Sequence, residues 1–240
     1  MKRICIADLQ VDIECRYETL LKQTVPYEQG ADLSLPADII VELSEADIDG
    51  GINKYKNLSR NDIEYVYSGT RFYKDLLAFD GMMVHSSAVV KNGYAYLFSA
   101  DPGTGKSTHT SLWLEAFGDD AFIINDDKPA LRIIDGQVYV YGTPFSGKTD
   151  LNVNTRAKLG GICFLERSEE NWIKPITGAE AIMFILRQTL HKLDNEQMPK
   201  MLELLDKILS TAPLYRMGCN ISREAVELAY NTMKRAHSDA

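Results

Sequence analysis

Positive charge is scarce in this chain. It carries 26 Lys and Arg against 34 Asp and Glu, a formal net charge of −8. That balance repels phosphate backbones and anionic bilayers, so neither nucleic acid nor a membrane surface is expected as a general partner. Long apolar runs are also missing. None approaches the roughly 18 residues that span a bilayer. The opening "MKRICIADLQVDIEC" is interrupted by Asp8, Asp12 and Glu14 where a signal peptide would have its apolar core. Cysteine is sparse: Cys5, Cys15, Cys163 and Cys219 form no C-x-x-C pair, and none has His at zinc-ligand spacing. These absences exclude a disulfide scaffold and a zinc ribbon, and predict free buried thiols in a reducing, cytoplasmic compartment. Internal repeats and low-complexity tracts are absent too. What remains is 240 residues, 45% apolar and 25% charged, enough for one sizeable domain or a core domain with a small addition.

Residues 3–15 read as two short strands, because Ile4, Ile6, Val11, Ile13 and Cys15 recur at period two. A loop with Pro26, Gly30 and Pro36 follows, then a strand "DIIVEL" at 38–43. The polar stretch 47–62, with its paired glycines, reads as a loop, and 62–79 as a helix. Residues 1–60 are therefore expected to form a small β-rich portion, with 61–240 as the main domain.

Asn92-Gly93 lies between apolar runs at 84–90 and 94–99, and Asp135-Gly136 between "PALRII" and "QVYVYG". Asn-Gly and Asp-Gly accept the positive φ angles of a tight turn, so each marks a β-hairpin. Antiparallel hairpins here contradict a simple run of βαβ crossovers. The predicted fold class is α/β with α+β character: a mixed, largely antiparallel sheet and a helical last third. The apolar stripes of that third are Ile182, Ile185, Leu186 and Leu190; then Met198, Met201, Leu202, Leu205 and Leu209; then Val226, Ala229, Tyr230 and Met233 behind a Ser222 N-cap. "PLYRMGC" at 213–219 is expected to be an edge strand.

The chemistry concentrates in "YLFSADPGTGKSTHTSLW", 96–113: an apolar strand, a Gly-rich turn and a helical run. The pattern is that of G-x-x-x-x-G-K-[ST], with Ala100 in the first place. Asp101, Pro102, Gly103, Thr104, Gly105, Lys106, Ser107 and Thr108 are the candidate phosphate-binding residues. Glycines let successive N–H groups turn inward on phosphate oxygens, and the helix start offers its positive end. Lys106 adds a point charge and Ser107 a hydroxyl for Mg²⁺. Ala100 is tolerable if it still lies in extended backbone. "IINDD" ends a strand 19 residues beyond Ser107, where Asp126 can hold Mg²⁺ directly or through water and Asp127 can take a proton from an attacking hydroxyl. His85 opens the partner strand of the first hairpin. Lys148, in "YGTPFSGKTD" at 141–150, and Arg156 are candidates for neutralising a moving phosphoryl group. His109, His191 and His237 have no acidic or metal-ligand partner at useful spacing and are read as surface residues.

In order, "VHSSAVV…LFSADPGTGKST…INDD…YGTPFSGK…FLER" resembles the C-terminal domain of HPr serine kinase/phosphorylase and its divergent relatives, which share a nucleotide core with phosphoenolpyruvate carboxykinase. The resemblance covers about residues 82–167. It implies ATP and Mg²⁺, with phosphoryl transfer to a hydroxyl of a small molecule, peptide or protein, and it places a histidine matching His85 near the transferred phosphate. It also implies a family that often forms homo-oligomers. Ala100 replaces the usual Gly, and the family's Glu-Ile-Arg-Gly-Leu-Gly segment is absent, so HPr itself is not implied as the substrate. A non-catalytic nucleotide- or partner-binding module is the alternative, and reversal as a phosphohydrolase stays open.

Overall fold

The computed structural model describes residues 1–189 and 197–234. Strands β1 (Lys2–Ile6) and β2 (Leu9–Ile13) form the expected N-terminal hairpin. Ala7 and Asp8 make its turn with φ of 55° and 60°. Helix α1 (Glu18–Gln23) lies in the stretch read as loop, and β3 (Ile39–Val41) adds to β2 in parallel.

The expected loop at 47–62 is instead mostly helical. Helix α2 (Glu45–Lys54) opens on a capping box, in which Ser44 and Asp47 satisfy each other's backbone N–H. Its Gly51 is a packing surface rather than a hinge: a Cβ there would come within 2.5 Å of the Ile63 side chain on the next helix. That helix, α3 (Arg60–Asp75), has its own capping box from Ser59 and Asp62.

The main sheet contains β4 (Gly81–Met83), β5 (Ser87–Lys91), β6 (Tyr94–Ser99), β7 (Ala121–Asn125), β8 (Ala130–Ile134), β9 (Gln137–Tyr141), β10 (Arg156–Arg167), β11 (Trp172–Pro175) and β12 (Leu214–Cys219). Its path runs β4-β8-β9-β10-β6-β5-β7, and β12 joins β10 while also pairing with β11. Both predicted hairpins are present, β5–β6 and β8–β9. Asn92, Gly93, Asp135 and Gly136 carry the positive φ that their turns require. The sheet is mixed because the long β10 runs parallel to β6 and β12 but antiparallel to β9. Residues 214–219 are thus not an edge strand: β12 is paired on both sides.

Helices α4 (Lys106–Phe117) and α7 (Arg223–Met233) pack on one face of the sheet, and α5 (Gly178–Thr189) and α6 (Gln197–Thr211) on the other. The strands between them alternate strictly. Val89, Tyr96 and Phe98 face Trp113 and Val226, while Val90, Ala95 and Leu97 face Ile185 and Leu205. Ser222 caps α7 as expected by accepting from the Ala225 N–H. The α6 stripe is shifted from expectation: Leu202 is exposed, and Leu204 and Ile208 are buried in its place. Leu190 lies outside the described residues. Ile4, Val11 and Leu20 of the N-terminal portion share a buried cluster with Phe72, Met83, Ala130 and Tyr141. All four cysteines are free thiols, with Cys163 buried and the others half-buried.

Candidate functional site

Strand pairing alone assembles the candidate residues. In the antiparallel pair β5–β6, Ser87 lies opposite Phe98, so the residues just before β5 and just after β6 share one end of the sheet. In the pair β5–β7, Ala88 lies opposite Asn125, which brings the end of β7 there as well. His85, the 100–105 turn, Asp126 and Asp127 therefore converge from three directions of chain.

The turn after β6 leads straight into α4. Ala100 is buried and is not among the residues with positive φ; Gly103 and Gly105 have φ of 79° and 120°. So the pattern's first glycine is replaced where no left-handed backbone is needed, and the two glycines are kept where it is. Gly105 is the N-cap of α4 and supplies no side-chain hydrogen bond, unlike Ser44, Ser59 and Ser222 at their helices. The N–H groups of the first turn lack intrahelical acceptors by geometry, and at α4 the N-cap residue has no side chain to take their place. Lys106 Nζ donates to the Ala100 carbonyl at 3.0 Å, arching over the turn. Burial lowers its pKa, and the nearby charges of Asp127, Asp126 and Asp101 partly offset that. Ser107 occupies the first turn of the same helix, half-buried, and Thr108 beside it is exposed.

The acids are held by a folded-back chain. Asn125 Oδ1 accepts from the N–H groups of Asp127 (3.0 Å) and Lys128 (2.7 Å), an Asx-type turn that ends β7. The Asn125 amide donates to the Thr143 carbonyl at 3.0 Å, anchoring that turn to the segment after β9. Asp126 is 5% exposed. It accepts from the Ser87 hydroxyl and, at 2.8 Å, from Thr149 Oγ1. Ser87 Oγ also lies 2.7 Å from Thr110 Oγ1, so Asp126 is tied to β5, α4 and the 142–153 segment together. Asp127 points elsewhere. His85 Nε2 lies 3.0 Å from its Oδ1, and Lys128 Nζ pairs with its Oδ2. Burial alone would raise the Asp127 pKa, but the His85 contact and the Lys128 charge override it and hold the carboxyl at about 2. Gly147, with φ of 73°, backs this carboxylate: a Cβ there would sit 2.9 Å from Asp127 Cβ.

Of the two remaining candidates, Lys148 borders this cluster and Arg156 lies away from it. Lys148 follows Gly147 but its side chain is exposed and has no hydrogen bond or ion pair among the described residues. Arg156 begins β10, whereas the turn lies level with Phe164 in the β6 pairing. At about 3.3 Å per strand residue that is more than about 20 Å away. Arg156 instead pairs with Asp8 at 2.6 Å and stacks 4.7 Å over the Tyr139 ring. His109 is corrected outright: it is 4% exposed, on the sheet-facing side of α4. His191 and His237 lie outside the described residues. Conversely, Lys128, Asn125, Ser87 and Thr149 were not singled out from sequence. Ser87, Asn125 and Thr149 lie inside the quoted motifs and Lys128 directly follows one, but only the tertiary pairings reveal their contacts. Arg167 is another: its Nη2 donates to the Gly103 carbonyl at 2.6 Å.

No family model matches this chain, and no curated protein matches it by sequence. Among solved structures, the Hpr(Ser) kinase/phosphatase from Coxiella burnetii is similar over 65% of this chain and 96% of that one, at 12% identity and a TM-score of 0.38.

Proposed function

We propose that the protein is an ATP- and Mg²⁺-dependent kinase that transfers the γ-phosphoryl group to a hydroxyl of a small molecule, peptide or protein. The observation that carries this reading is the convergence of an uncapped, glycine-turned helix start and Lys106 with the acids Asp126 and Asp127 and with His85. The ordered motifs and their family resemblance support it.

In this reading the amides from Gly103 to Ser107, with Lys106, hold the β- and γ-phosphates. Asp101, Pro102, Thr104 and Thr108 complete the loop. Among the described residues no group of three or more His, Cys, Asp or Glu side chains could hold a metal. A Mg²⁺ ion would therefore take most of its ligands from phosphate oxygens and water, as this cation commonly does. Ser107 offers it a hydroxyl. Asp126, whose two oxygens already accept hydrogen bonds, fits an outer position through water. Asp127 stays ionised and orients the acceptor hydroxyl, taking its proton late. A carboxylate this acidic is a weak base, and positioning dominates in phosphoryl transfer. His85 and Lys128 face the same carboxylate and are the nearest donors for charge on the moving group. Lys148, exposed on the adjoining turn next to Gly147, is a further candidate for that charge; Arg156 is not included.

One observation favours a second reading, a nucleotide-binding module without turnover: Asp127 is already engaged by both His85 and Lys128. A single experiment separates the two. MgATP is supplied with a panel of hydroxyl acceptors, and binding and transfer are followed in wild type, Lys106→Ala and Asp127→Asn. The kinase reading expects Lys106→Ala to lose binding, and Asp127→Asn to bind normally while transfer falls by about 10²-fold or more. Binding without transfer to any acceptor would support the module; full transfer by Asp127→Asn would remove that residue from the chemistry.

A further inference from the structure

Against the glycine turn lies a cavity of about 720 Å³, a size suited to a small organic ligand. Gly103, Thr104, Gly105 and Thr108 form one wall, so it opens directly onto the proposed phosphate cradle. Leu112, Leu165 and Ile221 give it apolar surfaces, and Arg167 stands at the rim. None of His85, Asp126, Asp127 or Lys128 lines it.

His109 lines the cavity too and is 4% exposed. Its Nε2 lies 3.3 Å from the Trp113 indole nitrogen. An indole N–H can only donate, so Nε2 accepts and the imidazole proton resides on Nδ1. That Nδ1 has no hydrogen-bond partner among the described residues. A buried donor left unpaired is costly and calls for an explanation. The cavity supplies one: a planar ligand with an acceptor atom on its edge would satisfy Nδ1–H while its faces lie against the leucines and isoleucine.

We propose that this cavity receives the nucleoside end of the nucleotide, with the base accepting a hydrogen bond from His109 Nδ1–H and the phosphate chain running over the glycine turn toward Asp127. The inference rests on the nucleotide reading above and adds to it the place and chemistry of base recognition. Arg167, through its bond to the Gly103 carbonyl, keeps that wall in position.

The test compares MgADP with magnesium pyrophosphate, which shares its phosphates and lacks the nucleoside. Affinities are measured calorimetrically for wild type, Leu112→Trp, which fills the cavity, and Ile221→Asp. Ile221 is 77% exposed, so its substitution leaves folding intact. Both variants should weaken MgADP by about tenfold or more and change pyrophosphate by less than about twofold. The ¹⁵N-detected Nδ1–H signal of His109 should move with MgADP and not with pyrophosphate. If wild type binds both probes and neither variant weakens MgADP, the cavity is not the base site and the phosphate reading survives. If wild type binds neither probe, the phosphate reading falls and this inference with it.

Discussion

Replacing Gly147 by alanine should damage catalysis by displacing one carboxylate. Two effects are built into the position. Its φ of 73° places an L-residue in left-handed backbone, a cost of roughly 1–2 kcal/mol. The new Cβ would also sit 2.9 Å from Asp127 Cβ and 3.1 Å from its Oδ2. Carbon atoms settle near 3.5 Å or beyond, so Asp127 or the 144–148 turn must yield by about 0.6 Å. Shifts of that order in a positioned catalytic group cost about tenfold to a hundredfold in rate. Gly136 is a matched control: its φ is 77°, and a Cβ there meets nothing within 4 Å. Both variants should lose comparable stability in urea unfolding, with Gly147→Ala losing somewhat more. Only Gly147→Ala should slow phosphoryl transfer, by about tenfold or more, with nucleotide affinity within about twofold of wild type. If both variants transfer at the wild-type rate, the packing of the glycine turn behind Asp127 has no bearing on the chemistry.

Further expectations follow from the same geometry. His109 is held neutral by burial, its pKa lowered to about 4 from about 6.5 in the unfolded chain. Between those values the unfolded state binds more protons, so stability is full above pH 6.5 and falls as pH drops toward 4. The loss approaches about 3 kcal/mol, and the pH slope over that window should flatten in His109→Gln. An unaltered slope would contradict a buried neutral imidazole. Arg156→Ala removes an ion pair whose side chains are 47% and 50% exposed, so stability should change by less than about 1 kcal/mol and transfer should be unaffected. A large rate loss there would contradict the placement of Arg156 away from the site.

What could be read from the residues was local. Asn92-Gly93 and Asp135-Gly136 announce hairpins because few dipeptides accept two consecutive positive φ angles. Ala7-Asp8 makes the same kind of turn without glycine and gives no such signal. Gly50-Gly51 misled in the opposite direction: glycine usually marks a loop, but Gly51 is required by the approach of Ile63, which only the packed helices reveal. The glycine turn, Lys106 and the acids could be found because their spacing in the chain reflects consecutive strand, turn and helix. The rest depends on pairings far apart in sequence. Asp126 is locked by Ser87 and Thr149, and β12 reaches β10 across two intervening helices. Arg156 lies close to Lys148 in the chain yet starts a 12-residue strand at its remote end. His109 sits on a helix of weak apolar periodicity, where Trp113 four residues on was the one cue that its face is buried.

The central claim is that the amides from Gly103 to Ser107 face Asp126 and Asp127 across a bound polyphosphate. A crystal structure with Mg²⁺ and a non-hydrolysable ATP analogue tests it most directly. The β- and γ-phosphates should lie within hydrogen-bond reach of those amides and of Lys106 Nζ, with the metal between Ser107 and Asp126 and the γ-phosphate facing Asp127. An analogue bound elsewhere, with the glycine turn making no phosphate contact, would contradict it.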